Sequence, residues 1–341
     1  QLTGTAPGDL PESLAVVWSF KTGGPVRSGP VVAGGRVYVT SADKNIYALD
    51  AASGARIWQT ELEGEIEAAA LAAGDAVYVG TMDGVFYALS ASDGSERWSR
   101  RTRGKIVGSA NLAGDLILFG SYDGRLHAHD ADGSVLWTYE TDSYINGTPA
   151  LTDTAAVLGG CDAWLHIVPL GDPDNVRQID AGSYIPSSPA VRDGRGYVGN
   201  FEGRLLCADL QTGRIVWAYD NPDESFFAVP AVSEEYVVIG SRRNKVIALD
   251  RASGQVRWTF ATEDAVNSSP VLCGSKVLFG CDDGFLRMVN LADGSPVWSM
   301  NLGRPILSAP AIADNRVLIG CDDGYVYAFA AEPLAETKTT P

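Results

Sequence analysis

Histidine and methionine occur three times each, and cysteine five times, in this chain of 341 residues. So little cysteine makes no disulfide scaffold, and the odd count leaves at least one thiol free. No apolar run approaches the ~18 residues that span a bilayer, so direct membrane insertion is not expected. Positive charge is short too: 26 Lys and Arg stand against 42 Asp and Glu, a net charge of −16. Such a surface repels phosphate backbones, which bind mainly through Lys and Arg releasing counterions, so nucleic acid is a poor partner. Also missing are a Gly-x-Ser-x-Gly elbow, a phosphate loop and a His-Glu-x-x-His motif, and no catalytic residue is assigned. The chain begins at Gln1 rather than Met, from which a removed leader and a periplasmic or extracellular location are expected.

What is present is a repeat. Trp18, Trp58, Trp98, Trp137, Trp217, Trp258 and Trp298 are spaced 40, 40, 39, 80, 41 and 40 residues apart, with Arg177 midway in the doubled gap. A second series keeps the same beat: SADKN, TMDGV, SYDGR, CDAW, NFEGR, SRRNK, CDDGF and CDDGY. Each unit reads as four short strands, for example SGPVVAGG, RVYVTSA, NIYALD and ARIWQTEL. Val, Ile, Tyr and Trp are enriched in them, with Gly, Asp and Asn between. Asp-Gly at 83–84, 123–124, 283–284 and 323–324 supplies the positive φ of tight hairpin turns. Four antiparallel strands repeated radially predict an all-β, eight-bladed propeller in one domain. LAVVWSF at 14–20 is a fourth strand with no first three, and residues 307–330 are three strands with no fourth. The N-terminal strand is therefore expected to complete the last blade, leaving no free sheet edge. The propeller is placed at 14–331, with 1–13 and 332–341 as loose ends, and a monomer is expected.

The stretch YALDAASGARIW at 47–58 resembles the pyrroloquinoline-quinone-like (PQQ-like) repeat, and close copies stand at 87–98, 206–217 and 247–258. The resemblance implies that each Trp docks against a neighbouring blade. It also implies a choice of function. Some members are quinoprotein dehydrogenases, which hold PQQ and a metal ion over the channel beside an adjacent Cys-Cys pair. Others are compact, BamB-like rings that bind protein partners without catalysis, and others are sensor ectodomains. Here Cys161, Cys207, Cys273, Cys281 and Cys321 are never adjacent, and no Cys-x-x-Cys-His haem motif occurs. In length and plainness the chain is similar to the compact group. It has no lipobox Cys near its start, so no lipid anchor is assigned.

Gly-Cys-Asp-Asp-Gly occurs twice, 40 residues apart, at 280–284 and 320–324. Aligned on the repeat, Cys281 and Cys321 share a position with Ser41, Thr81, Ser121, Cys161, Asn200 and Ser241, which reads as a small buried residue before a hairpin turn. The sharper reading takes Asp282, Asp283, Asp322 and Asp323 as oxygen ligands for Ca²⁺, which PQQ would accompany in a quinoprotein. His127, His129 and His166 could hold zinc, but polar replacements for a half-buried Tyr are the plainer reading.

The turns between second and third strands share a face with the linkers entering each first strand. Departures from the repeat there are Tyr122, Tyr144, Trp164, Tyr184, Phe201, Phe226 and Phe227, with Arg242 and Arg243 beside them and Arg27, Glu65, Glu67 and Arg304 around the same rim. Aromatics clustered on one sector suit a protein or glycan partner, while the plain alternative is that they seal the channel mouth or pack between blades. The expectation is a non-catalytic binding or scaffold ring without a cofactor, against a PQQ- and Ca²⁺-dependent oxidoreductase or a ligand-sensing ectodomain.

Overall fold

The middle strands of each repeat are apolar on both faces, and this decides how the sheets pack. In the first repeat Arg36–Thr40 and Asn45–Asp50 are almost continuously buried. A strand buried on both sides has to be covered on both sides. The fourth strand, Arg56–Glu61, is mostly exposed, as an outer strand is. Radial stacking of sheets, face to face, meets both demands.

The computed structural model describes residues 2–331, so the tail expected at 332–341 lies outside the described residues. It shows eight antiparallel four-stranded sheets forming the ring, with first strands innermost and fourth strands outermost. Among the described residues there is no helix, and hence none long and apolar enough to cross a membrane. Blade 1 runs from Val31–Ala33 to Arg56–Glu61. Blade 8 combines Ala311–Ala313, Arg316–Gly320 and Tyr325–Ala331 with Leu14–Lys21 from the other end of the chain. Pairing runs from Leu14 opposite Ala331 to Lys21 opposite Tyr325, which closes the ring as the two incomplete blades required.

Cores lie between blades: Tyr38, Ile46 and Trp58 of blade 1 pack on Val77, Val79 and Leu89 of blade 2. The Trp indole extends each core outward. Its Nε1 donates to a carbonyl on the next blade, Trp18 to Ala51, Trp58 to Ala91, Trp98 to Ala131, Trp217 to Arg251 and Trp258 to Leu291, at 2.7–3.2 Å. Trp137 is half-buried against the core between blades 3 and 4, and Trp298 is half-buried against Phe329. In the blade that lacks Trp, the Arg177 guanidinium donates to the corresponding carbonyl, Leu210 O, at 3.2 Å, and also to Gln211 O. Fourth strands that carry Trp shift register beside it, and the blade 4 strand, Arg177–Asp180, does not. Such bulges twist an exposed edge away from pairing with another chain.

The N-terminal segment corrects the expectation of a loose end. The carbonyls of Leu2, Thr3 and Gly4 accept from the amides of Val191, Val232 and Leu272 on blades 5, 6 and 7, and Thr5–Ala6 then adds a parallel fifth strand to blade 7. Leu10 is buried with Leu14 in the core between blades 7 and 8. The buried Lys276 ammonium reaches Glu12 at 3.0 Å. The cause is the inner edge of the first strands, whose N–H groups have no sheet neighbour and need acceptors. This strap lies toward the end of the ring opposite the second-to-third-strand turns.

Candidate functional site

On the turn face, one hydrogen bond recurs in every blade. The amides of Ala42, Met82, Tyr122, Cys161, Phe201, Arg242, Asp282 and Asp322 donate to the carbonyls of Pro25, Glu65, Lys105, Tyr144, Tyr184, Ser225, Ala265 and Pro305 at 2.8–3.1 Å. Each bond ties a turn to the linker beside it. The residue after each linker acceptor is apolar and buried: Val26, Ile66, Ile106, Ile145, Ile185, Phe226, Val266 and Ile306 are all at most 1% exposed. The residue after that faces the channel mouth. Backbone geometry is thus held constant while three side chains per blade vary.

The frame brings together most of the rim residues read from sequence. Tyr122 stacks on Tyr144 at 4.8 Å, and Tyr184 stacks on Phe201 at 4.6 Å. Phe227 meets Phe201 edge to face at 6.0 Å, and the Arg242 guanidinium lies 4.6 Å over the Phe227 ring. Tyr122, Tyr184, Phe227 and Arg242 help line a cavity of about 630 Å³ at the channel mouth. Arg242 also walls a smaller cavity of about 260 Å³ with Phe201, Ser225 and Arg243. Burial pushes the Tyr122 and Tyr184 hydroxyls above their ordinary pKa, so both stay neutral donors.

Two rim residues fall elsewhere. Phe226 is fully buried, because it fills the slot held by Ile or Val in the other blades and packs beneath Gly199. Trp164 is exposed but begins the third strand of blade 4, opposite Asp180 on the outermost strand, and lines neither cavity. The Phe226 slot is apolar in every repeat, which is the signal that identifies it.

The acidic sector is ordered differently from a metal site. Asp322 holds Arg27 at 3.2 Å, Asp282 accepts from the Asn267 amide at 2.7 Å, Asp283 holds Arg287 at 2.7 Å, and Asp323 accepts from the Tyr327 hydroxyl at 2.6 Å. Asp283 and Asp323 also cap their own turns through the amides of Phe285 and Tyr325. Among the described residues no three acidic, His or Cys side chains converge to hold a metal ion. Each of the four carboxylates has at least one partner, Asp282 Oδ1 is buried without one, and all five cysteines are free. Burial raises the Asp282 carboxyl, with Asp264 and Asp322 adding to it against the Asn267 amide. Burial likewise pushes the Cys281 and Cys321 thiols up to about 11 and about 12, so neither is a reactive thiolate near neutral pH.

The histidines do not form a zinc site. His127 faces Asp123 at 3.1 Å and His166 faces Asp162 at 2.9 Å, both within their own turns. His129 is 2% exposed among Phe86, Trp98 and Phe119, and neither ring nitrogen has a hydrogen-bond partner.

Sequence reasoning missed one feature of the mouth. Arg27, Glu67, Val107, Asn146, Pro186, Phe227, Asn267 and Leu307, one residue from each blade, all line the larger cavity. They recur at the repeat spacing, two positions after each linker acceptor, and share no chemistry. That combination is a legible signal. The ring is divided: Arg27 pairs with Asp322 and Glu67 on one side, and the stacked aromatics with Arg242 occupy the other.

Comparison with known proteins follows the repeat. A family model described as outer membrane protein assembly factor BamB matches residues 11–160 and 46–260. The chain is 28% identical over 182 residues to outer membrane protein assembly factor BamB of Yersinia pestis, covering 48% of this chain and 46% of that one. It is 26% identical over 164 residues to the dehydrogenase subunit of the quinone alcohol dehydrogenase of Gluconacetobacter polyoxogenes, covering 43% of this chain and 18% of that one. The matched stretch thus spans less than half the length of these curated relatives. The crystal structure of BamB from Moraxella catarrhalis superposes with a TM-score of 0.81 at 21% identity, covering 94% of this chain and 100% of the other, a likeness of fold.

Proposed function

The chain belongs to the family of outer membrane protein assembly factor BamB, and from that premise we propose that it is a non-catalytic binding ring that engages a protein partner through its aromatic rim. The observation that carries the proposal is the rim itself. Tyr144 and Phe201 are 52% and 40% exposed, yet each is stacked on a neighbour and bonded through its backbone to a rigid frame. Preorganised aromatics lose little conformational freedom on binding, which is why such residues dominate the affinity of protein interfaces. Membership of a family named for outer-membrane assembly supports a periplasmic ring that acts as a scaffold for other proteins. A glycan would stack on the same rings, and the family favours protein over it.

The test is site-specific photo-cross-linking in the native host. A benzophenone side chain at Tyr144 should give a discrete protein adduct, and the same group at Asp93, in a turn on the opposite face, should not. Equal labelling at both positions, or an adduct from Asp93 alone, would overturn the assignment of the rim.

A further inference from the structure

Seven blades place a carboxylate at one turn position: Asp43, Asp83, Asp123, Asp162, Glu202, Asp283 and Asp323. In blades 1, 3, 4, 7 and 8 it caps the turn by accepting the amide two residues on, at 2.8–3.2 Å. Blade 6 has Arg243 there, and Arg242 in the neighbouring slot where blades 7 and 8 have Asp282 and Asp322. The turn is held by other means. Ser241 Oγ accepts the Arg243 amide at 3.0 Å, and the buried Glu224 carboxylate receives Ser241 Oγ and the Lys245 ammonium. A favourable local cap has therefore been replaced by an arginine that the fold does not require.

Those arginines are also unengaged. Among the described residues no carboxylate oxygen lies within 4.0 Å of the Arg242 or Arg243 guanidinium. On the same face Arg27, Arg101, Arg125, Arg204 and Arg287 each hold one, whereas the single linker arginines Arg103 and Arg304 do not. What sets Arg242 and Arg243 apart is adjacency: two neighbouring exposed guanidiniums without an acid share one turn on a chain of net charge −16. Between them and Phe201 lies the smaller cavity, where the Ser225 hydroxyl is buried without a hydrogen-bond partner. Arg242 is stacked on Phe227 and so already oriented, and it walls both cavities. A guanidinium fork matches a carboxylate in bidentate geometry, and Ser225 can donate to the same group.

We propose that this corner of the mouth is a carboxylate subsite, taking an acidic side chain from an extended segment of the partner while a neighbouring aromatic or large apolar side chain enters the larger cavity beside Tyr122, Tyr184 and Phe227. The proposal rests on the rim reading and specifies the partner's chemistry. Charge complementarity fixes the register of the segment, since a basic segment would meet two unpaired guanidiniums.

The experiment is selection of a randomised 12-residue displayed peptide library on the wild-type ring, with Arg242→Glu/Arg243→Glu as counter-protein. Both residues are exposed turn residues, and the thermal midpoint verifies the fold. Wild type should enrich peptides with Asp or Glu within two residues of an aromatic side chain. A synthetic copy should bind the charge-reversed ring at least tenfold more weakly. Arg242→Lys/Arg243→Lys, which keeps the charge and loses the fork, should weaken it severalfold. Peptides that depend on Tyr184 or Phe227 but are indifferent to both arginine variants would overturn the carboxylate subsite and leave the rim standing. Enriched peptides that are basic or uncharged would overturn it too. A selection yielding no peptide dependent on any rim residue would sink both readings.

Discussion

A single methyl group can test how the blades lock together. In the turns that receive five of the seven repeat tryptophans, a glycine lies against the indole: a Cβ on Gly54, Gly94, Gly133, Gly254 or Gly294 would come 2.6 Å from Trp18, Trp58, Trp98, Trp217 or Trp258. Gly213 occupies the equivalent turn facing Arg177, and a Cβ there would meet nothing within 4 Å. Both Gly94 and Gly213 have positive φ, 75° and 71°. Alanine at either position therefore carries the same left-handed strain, about 1–2 kcal/mol, and the same unfolded-state entropy effect. Those contributions cancel in the comparison. What remains at Gly94 is overpacking against Trp58 and the Thr60 hydroxyl, also 2.6 Å away, worth about 1–3 kcal/mol.

Gly94→Ala should accordingly be less stable than Gly213→Ala by that amount. At about 2.1 cal/mol/K of unfolding entropy per residue, the gap is roughly 1.5–4 °C in thermal midpoint. Calorimetry on the two variants reads it directly. In a Trp58→Ala background the penalty at Gly94 should fall to the Gly213 value, a coupling that a double-mutant cycle isolates. Equal midpoints for the two single variants would refute the reasoning. The ring would then be yielding, and the Trp positions would be held by something other than close contact.

Three further outcomes follow from the same geometry. Burial, with the His127 charge adding to it, holds the His129 pKa down to about 4, whereas the unfolded chain titrates near 6.5. Stability is then full above about pH 6.5 and falls as the pH drops toward 4, by at most ~3 kcal/mol, and His129→Phe should flatten that slope in urea titrations at pH 7 and 4.5. Phe226→Ala should cost about 3–5 kcal/mol as a core truncation, while Phe227→Ala costs about 1 kcal/mol or less and weakens partner binding; urea midpoints beside peptide affinities separate the two. PQQ with Ca²⁺ should leave the thermal midpoint unchanged. A ligand at 100 times its Kd would add about 2.7 kcal/mol, so a shift that requires PQQ would reverse the non-catalytic assignment.

The architecture was legible because it is redundant. Seven Trp at one spacing and eight turn motifs specify the blade many times over, and the incomplete blades at 14–20 and 307–330 specify closure. Even the loss of one Trp left a trace, since Arg177 stood where the spacing demanded and makes a hydrogen bond to the same kind of carbonyl. The N-terminal strap left none. It is held by the carbonyls of Leu2, Thr3 and Gly4, and a backbone acceptor has no signature in residue type. Similarly, sequence placed four carboxylates in one sector but not their directions, and it is direction that sends them to Arg27, Asn267, Arg287 and Tyr327.

The rim was half legible, and the reason lies in what each slot is required to do. Phe226 and Phe227 are adjacent and chemically alike, yet one is core and the other mouth. Only the aligned column separates them: Val, Ile or Phe throughout for the first, and Arg, Glu, Val, Asn, Pro, Phe, Asn and Leu for the second. A column restricted to apolar residues is doing packing, because any polar member would be buried without a partner. A column whose backbone position is invariant while its side chains share nothing has no packing duty, and selection for contact with something outside the ring is free to act on it. By that logic the charge reversal at Arg242 and Arg243 is more informative than any aromatic on the rim. Aromatics can always be explained by burial, whereas two adjacent guanidiniums on an acidic surface pair with no carboxylate of the chain, and only Arg242 has an internal contact, the Phe227 ring.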